Sequence, residues 1–229
     1  MYIQITSKCN MACEHCCYAC GPRGRHMSMK TFHKALELCD DGTIALGGGE
    51  PTLHPQFWEM FGLALGKAEE SLFIATNGTQ TETAIALARL AKRGVVNAAL
   101  SYDSYHDTSM VDERVLAAFR KNNTRGFGQR DEDLREIRDH DSKRISAAGR
   151  GKNLSGSVDL CPCPELTVSP SGRIYHCGCK THSYGTVFAT ERLDEYWDMR
   201  SRYIECHGLE YEMQLATAQL DMAETALSA

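Results

Sequence analysis

No run in the chain approaches the roughly 18 consecutive apolar residues of a membrane-spanning helix. The N-terminal MYIQITSKC has neither the basic start nor the apolar stretch of a secretory signal. The expectation is a cytoplasmic protein without membrane association. Internal repeats and low-complexity linkers are also missing, which excludes collagen-like and disordered chains. What remains is ordinary for a globular protein: 229 residues, 42% hydrophobic and 24% charged, enough for one good core and a small appendage. Cysteine is the exception. Eleven is an odd number, high for a cytosolic chain and low for a disulfide scaffold. In a reducing compartment, thiols clustered in this way point to metal ligands.

The net charge of -5 is unevenly spread. Residues 208 to 229 hold Glu210, Glu212, Asp221 and Glu224 and no Lys or Arg, whereas residues 114 to 152 hold eleven Lys/Arg against six Asp/Glu. A solvated surface of mixed sign is one reading of the basic segment, and a lip facing a phosphate-bearing substrate is the other.

Apolar periodicity predicts strands at Tyr2–Thr6, Thr43–Leu46, Leu72–Ala75 and Val95–Leu100. Between them it predicts helices at Ser28–Cys39 (capped by Ser28), Pro55–Lys67 and Thr81–Arg93, with another at Asp112–Lys121 and a short run at Arg144–Ala148. Strand and helix alternating at these connection lengths make a parallel α/β sheet, and about four βα units are too few for a closed eight-fold barrel. Cys9, Glu50, Asn77 and Ser101 all fall at or just past strand C-terminal ends, where such folds place their chemistry. After residue 157, Val158–Ser169 and Arg173–His176 flank Pro170-Ser171-Gly172, a hairpin signal. In the last helix, Leu209, Met213, Ala216, Leu220, Ala223 and Leu227 form a heptad seam, either packed on the protein's own barrel or joining a dimer.

Cys9, Cys13 and Cys16 have the spacing C-x3-C-x2-C. Three thiolates on one tight loop can each hold one iron of a cubane cluster and leave the remaining iron open. A structural zinc site completed by Cys17 and Cys20 is the competing reading.

Together with its downstream motifs, the sequence resembles the radical S-adenosylmethionine (radical SAM) superfamily. Cys9, Cys13 and Cys16 match the cluster-binding triad, and Gly48-Gly49-Glu50-Pro51 resembles the Gly-Gly-Glu motif, whose acid accepts from the methionyl ammonium while its glycines admit the cofactor. Ala75-Thr76-Asn77-Gly78 and Ser101-Tyr102-Asp103-Ser104 look like the segments contacting the methionine carboxylate and ribose, and Gly149-Arg150-Gly151 like an element near the adenosyl group. His15 stands where an aromatic residue commonly packs on the adenine. The resemblance implies an α/β fold, a partial (open) parallel βα barrel of the radical SAM type with a small C-terminal β-hairpin and helical extension. Residues 1–156 would form the core and 157–229 the cysteine-rich extension. It also implies a [4Fe-4S] cluster, an external one-electron donor of the flavodoxin or ferredoxin kind, and reductive cleavage of S-adenosylmethionine to a 5'-deoxyadenosyl radical that abstracts hydrogen from a substrate.

Cys161, Cys163, Cys177 and Cys179 bracket the predicted hairpin in two C-x-C elements. Their context resembles the SPASM or twitch extensions of the superfamily, which implies an auxiliary iron-sulfur cluster, with structural zinc or unmetallated thiols as alternatives. Cys39, on an apolar helix face, reads as a small buried hydrophobe. Cys17, Cys20 and Tyr105 are candidate hydrogen-atom donors to a product radical. The substrate expectation divides between a peptide and a nucleotide or nucleic-acid base, acted on by a monomer or dimer. The rival from another class is a non-catalytic iron-sulfur or zinc-binding module, which would have no use for Glu50, Asn77, Ser101 and Asp103.

Overall fold

The computed structural model describes residues 1–40, 42–121, 133–139, 145–157, 166–175, 178, 180, 183–191, 193 and 194. The chain runs β1 (Tyr2–Thr6), α1 (Met29–Leu36), β2 (Thr43–Gly48), α2 (Phe57–Lys67), β3 (Ser71–Thr76), α3 (Thr81–Lys92), β4 (Asn97–Ser101), α4 (Glu113–Phe119) and β5 (Arg135–Arg138). It continues with β6 (Thr167–Val168), β7 (Arg173–Tyr175) and β8 (Ser183–Thr186). One sheet holds all eight strands in the order β5-β4-β3-β2-β1-β6-β7-β8. Strands β1 to β5 pair parallel with their neighbours, and β6 lies parallel to β1 on its other side. β7 and β8 return antiparallel. This is the expected open, partial βα barrel.

The two faces of the sheet have different chemistry. Ile3 and Ile5 on β1, Ile44 and Leu46 on β2, Leu72 and Ile74 on β3 and Leu100 on β4 are buried in the main core with helix residues such as Phe32, Met60, Leu87 and Phe119. The alternate positions Tyr2, Ala45, Gly47, Phe73, Ala75, Ser101 and Arg138 line a cavity on the other face. The register places Tyr2 beside Ala45 and Ala45 beside Phe73, so the inward residues form layers across the sheet.

Local chemistry sets the helix ends. The Ser28 hydroxyl accepts from the Thr31 amide at 3.1 Å and caps α1. That helix stops at Leu36 rather than Cys39, where tighter bonds from Leu38 N to Ala35 O and Cys39 N to Leu36 O close the last turn. Cys39 is buried as expected. α3 ends in a Schellman arrangement: Gly94, with φ +72°, donates to Ala91 O and Val95 donates to Leu90 O. Val95 is thereby bound to the helix end, and β4 begins at Asn97 instead. The hairpin turn stands where expected, with Gly172 at φ +79° donating to Ser169 O. β5 and β8 are not among the expected strands. No strand is described over residues 145–148, and the C-terminal helices with their heptad seam lie outside the described residues. No described helix is long and apolar enough to cross a membrane.

His54 stitches the short 3-10 turn Pro51–Leu53 to the approach of α1. Its Nε2 lies 2.9 Å from Met27 O, and its Nδ1 accepts from the Gln56 amide at 3.0 Å, which requires a neutral ring. Burial holds its pKa below 6.5, and the same holds for His26, whose ring meets that of His54 edge-on at 4.9 Å. Because the unfolded state binds these protons more readily, stability is fully present above the unfolded pKa near 6.5 and is lost as the pH falls below it. Urea midpoints should therefore be flat from about pH 8 to 7 and decline below about 6.5. His54→Gln should flatten that decline while lowering stability throughout; a decline unchanged in the variant would contradict this assignment.

Candidate functional site

The cavity, about 480 Å³, opens where β1 to β5 end. Its outer wall is the loop that follows β1. Cys9 N donates to Gly21 O at 3.0 Å and Gly21 N to Ser7 O at 3.3 Å, so the loop is pinched at its base and residues 9 to 21 form a closed excursion. Inside it, Cys16 N donates to Cys13 O and Ala19, in the left-handed region at φ +51°, donates to Cys16 O. Cys9, Cys13, Cys16 and Cys17 all line the cavity. All six described cysteines are free thiols.

The three spaced thiols differ in their surroundings. Burial raises the pKa of Cys9, and burial followed by the neighbouring charges of Cys9 and Cys16 raises Cys13 to about 11. Cys16 is shifted down because the Cys20 thiol donates a hydrogen bond to it, and Cys20 is shifted up by the same bond. A soft metal displaces such protons and binds thiolates. Three half-buried or buried thiols from one pinched loop, facing one cavity, fit a cluster that takes three protein ligands. Cys20 is withdrawn from the cavity: it is buried and its sulfur accepts from Gln4 Nε2 at 3.3 Å.

Glu50 follows β2 and is buried. Its Oε1 accepts from Thr52 N (3.2 Å), Thr52 Oγ1 (2.6 Å) and Thr76 Oγ1 (2.8 Å), and its Oε2 accepts from Asn77 N (2.6 Å). Desolvation raises its pKa, opposed by these four donors. The preceding glycines are required by the protein itself. A Cβ on Gly48 would lie 2.3 Å from Thr6 O, and one on Gly49 would lie 2.4 Å from Lys8 O and 2.8 Å from Cys9 Cβ. Close approach of β2 to the start of the cysteine loop therefore excludes any side chain there.

Asn77 connects this corner to the loop. Its Nδ2 donates to Asn10 Oδ1 at 2.9 Å, and its Oδ1 accepts from the Thr79 amide and hydroxyl. Ser101 lies at the end of β4, paired with Arg138 of β5, and both line the cavity. Asp103 does not line it. Its Oδ1 accepts from Tyr105 N at 3.0 Å and pairs with His106 Nδ1 at 2.6 Å, closing the turn after β4. His15 packs against the rings of Tyr105 and His106, each 4.9 Å away, and His15 and His106 face the cavity. Tyr105 lines a neighbouring shallower hollow instead. Arg150 lines the cavity while donating from Nε to Cys13 O and from Nη1 to Cys20 O.

Sequence reasoning missed Tyr2, Tyr18, Phe73 and Arg138, which line the interior. Tyr2 and Tyr18 stack at 5.3 Å, and Arg138 lies over the Phe73 ring at 5.0 Å. Strand alternation is the signal that could have found Tyr2 and Phe73, and nothing local marks Arg138. Cys161, Cys163, Cys177 and Cys179 fall outside the described residues. Their neighbour Lys180 reaches the barrel interior, donating to Gln4 Oε1 and lying over the Tyr18 ring.

Comparison with known proteins agrees with this geometry. A family model described as the Radical SAM superfamily matches residues 3–148. Mycofactocin maturase MftC of Mycobacterium ulcerans (strain Agy99) is 32% identical over 119 residues, which cover 50% of this chain and 31% of the relative. A tungsten-containing aldehyde ferredoxin oxidoreductase cofactor-modifying protein of Pyrococcus furiosus is 35% identical over 85 residues, 34% of this chain and 24% of the relative. The chain thus spans about a third or less of the length of the curated relatives it matches. A solved structure described as native anSMEcpe with bound AdoMet and Cp18Cys peptide shares the fold at a TM-score of 0.50 and 15% identity, covering 91% of this chain and 80% of the other.

The Glu50 knot has a direct consequence. Glu50→Gln replaces one acceptor oxygen with an NH2 group facing a donor, and should destabilise the protein by about 1–3 kcal/mol in urea unfolding. A variant as stable as wild type would show that the four donors do not depend on the carboxylate.

Proposed function

Because the chain belongs to the radical SAM superfamily, whose members use a [4Fe-4S] cluster and S-adenosylmethionine, we propose that it is a peptide-modifying enzyme of this class. The observation that carries the reading is the convergence of Cys9, Cys13 and Cys16 with Glu50 and Asn77 around one cavity at the strand ends. When bound, cluster and S-adenosylmethionine supply a one-electron reductive cleavage that yields a 5'-deoxyadenosyl radical for hydrogen abstraction from the substrate.

The chain's own residues bind, orient and exclude water. Cys9, Cys13 and Cys16 would hold the cluster through their three thiolates. Glu50 Oε2 has a single donor, Asn77 N, and so has acceptor capacity for the methionyl ammonium. A cation beside this buried carboxylate offsets the desolvation that raises its pKa. His15, braced by Tyr105 and His106, offers its ring to the adenine. Ser101 serves the ribose side directly, and Asp103 serves it by fixing the turn that carries His106. The apolar interior formed by Tyr2, Phe73, Ala45 and Ala75 keeps water from the reacting centre. Asn10, Ala12 and Glu14 are exposed on the cysteine loop, which leaves that side of the site open to an external one-electron donor.

A peptide is preferred over a nucleic acid in part because two cations of the basic segment, Arg114 and Arg135, are already paired with acids. Arg114 bridges Asp112 and Glu82, and Arg135 pairs with Asp133. The maturase relatives point the same way. By the resemblance of their sequence context, Cys161, Cys163, Cys177 and Cys179 are the candidate ligands of an auxiliary cluster or zinc site, and the free thiols of the described cysteines suit a cytoplasmic location.

The test is anaerobic reconstitution with iron and sulfide, followed by dithionite and S-adenosylmethionine. Wild type should release 5'-deoxyadenosine and Cys13→Ala should fall to background. About eight irons rather than four would add the second cluster. Fully reconstituted wild type that makes no 5'-deoxyadenosine would overturn the enzymatic reading. Tight, strongly salt-dependent binding to RNA or DNA would redirect the substrate class.

A further inference from the structure

The segment Gly149–Gly151 grips the cysteine loop more extensively than a cofactor contact needs. Gly149 sits at φ +56°, and a Cβ there would lie 2.3 Å from Cys17 O and 2.5 Å from Cys16 O, so its backbone rests directly on the loop's carbonyls. Arg150 then donates from its backbone N to Cys16 O at 3.0 Å, from Nε to Cys13 O at 2.9 Å and from Nη1 to Cys20 O at 2.8 Å. Gly151 closes the other side, where a Cβ would lie 2.5 Å from Ser146 O and 3.2 Å from His15 O. One residue therefore satisfies three carbonyls spread over the half of the loop that carries Cys13 and Cys16. The base of the loop is anchored by its own pairing at Cys9 and Gly21, but nothing in that pairing fixes Cys13 and Cys16 relative to Cys9. From a distant part of the chain the guanidinium fork ties Cys13 to Cys20, next to the anchored Gly21, and the Arg150 amide holds Cys16.

We propose that Arg150 is a positioning residue for the metal centre: it holds the three-thiol constellation in its binding arrangement and places a fixed positive charge beside the cluster that raises its reduction potential. This rests on the proposed function, since it takes Cys9, Cys13 and Cys16 as cluster ligands. A guanidinium is well suited because its planar fork donates to two carbonyls at once and stays charged at every working pH. Reduction adds negative charge to the cluster, and a cation at hydrogen-bonding distance from two carbonyls of the ligand loop favours that state.

The test compares full-length wild type, Arg150→Lys and Arg150→Gln after anaerobic loading with iron and sulfide. Iron content, the midpoint potential from an EPR-monitored redox titration, and S-adenosylmethionine affinity by equilibrium dialysis are measured on each. Arg150→Gln should retain less iron, and its remaining cluster should titrate at a more negative potential. Arg150→Lys keeps the charge without the fork, so its potential should stay near that of wild type while its iron content falls. A merely structural role would lower iron in both variants with no shift in potential, which overturns the electrostatic assignment. Full iron and unchanged potential in both variants, with S-adenosylmethionine affinity reduced at least tenfold, would make Arg150 a cofactor contact and overturn the proposal outright. Circular dichroism of each variant identifies misfolding, and Gly149→Ala provides a second probe of the grip that leaves the charge in place: it should lose iron without a more negative potential, and full iron retention would overturn the grip. Wild type that assembled no cluster would overturn the proposed function itself and, with it, this inference.

Discussion

The site is organised by one buried carboxylate. Glu50 stands where β2 ends, and four donors from Thr52, Thr76 and Asn77 converge on its two oxygens. Its own amide donates to Lys8 O, one residue before Cys9, and the Gly49 amide donates to Thr6 O. The ends of β1, β2 and β3 are therefore fixed to one another through a single residue and its immediate neighbours. Asn77 carries the connection onward to Asn10 within the cysteine loop. An interior carboxylate without such donors would cost several kcal/mol and would simply take up a proton. With them it is held in one orientation, their donation opposing the desolvation that raises its pKa.

The same convergence accounts for the glycines. Reading Gly48 and Gly49 as space for a cofactor captures only part of their role. β2 approaches β1 and the cysteine loop so closely that any side chain at either position would overlap backbone atoms of Thr6 or Lys8. A Cβ on Gly47 would lie 2.2 Å from the Tyr2 hydroxyl, so a side chain there requires the Tyr2 ring to shift. A short path from the β2 end to the thiols is thus a packing condition, and the cofactor's access follows from it.

Strands β1 to β4 were legible because their apolar alternation is strong and their ends carry turn signals such as Asn77-Gly78. β5 was not, because it is an edge strand reading Arg-Glu-Ile-Arg, with only Arg135 buried and Ile137 at the surface. Its place is specified by pairing with β4, by the Leu134 amide donating to Ala91 O and by the Arg135 guanidinium donating to Ala118 O, none of which is a local pattern. β8 is similarly short, and its sequence Ser-Tyr-Gly-Thr has one buried side chain, Tyr184. The site residues divide along the same line. Cys9, Cys13, Cys16, Glu50 and Asn77 lie on motifs whose spacing in sequence reflects their spacing in the cavity. The pairing of Asp103 with His106, and of Arg150 with the carbonyls of Cys13 and Cys20, comes from the folded geometry. A side-chain type shows what a residue can do, while its partner is decided by topology.

The two arginines of the cavity show how topology decides. Arg150 has its Nε and Nη1 committed to backbone carbonyls beneath the cysteine loop, so its charge is immobile. Arg138, across the cavity on β5, lies over the Phe73 ring and approaches Glu136 only at 3.9 Å. Its side chain is about a third exposed, so that ion pair adds little, and its donors are available to a ligand. The cavity is thus polarised, with Glu50 at the β2–β3 end, Arg138 at the β5 end and an aromatic interior between them. An interior of low dielectric strengthens both charges relative to water. A ligand with an ammonium group at one end binds in one orientation, with that group toward Glu50. The like charge of Arg138 disfavours the reversed placement, so the two ends of the cavity act in the same direction.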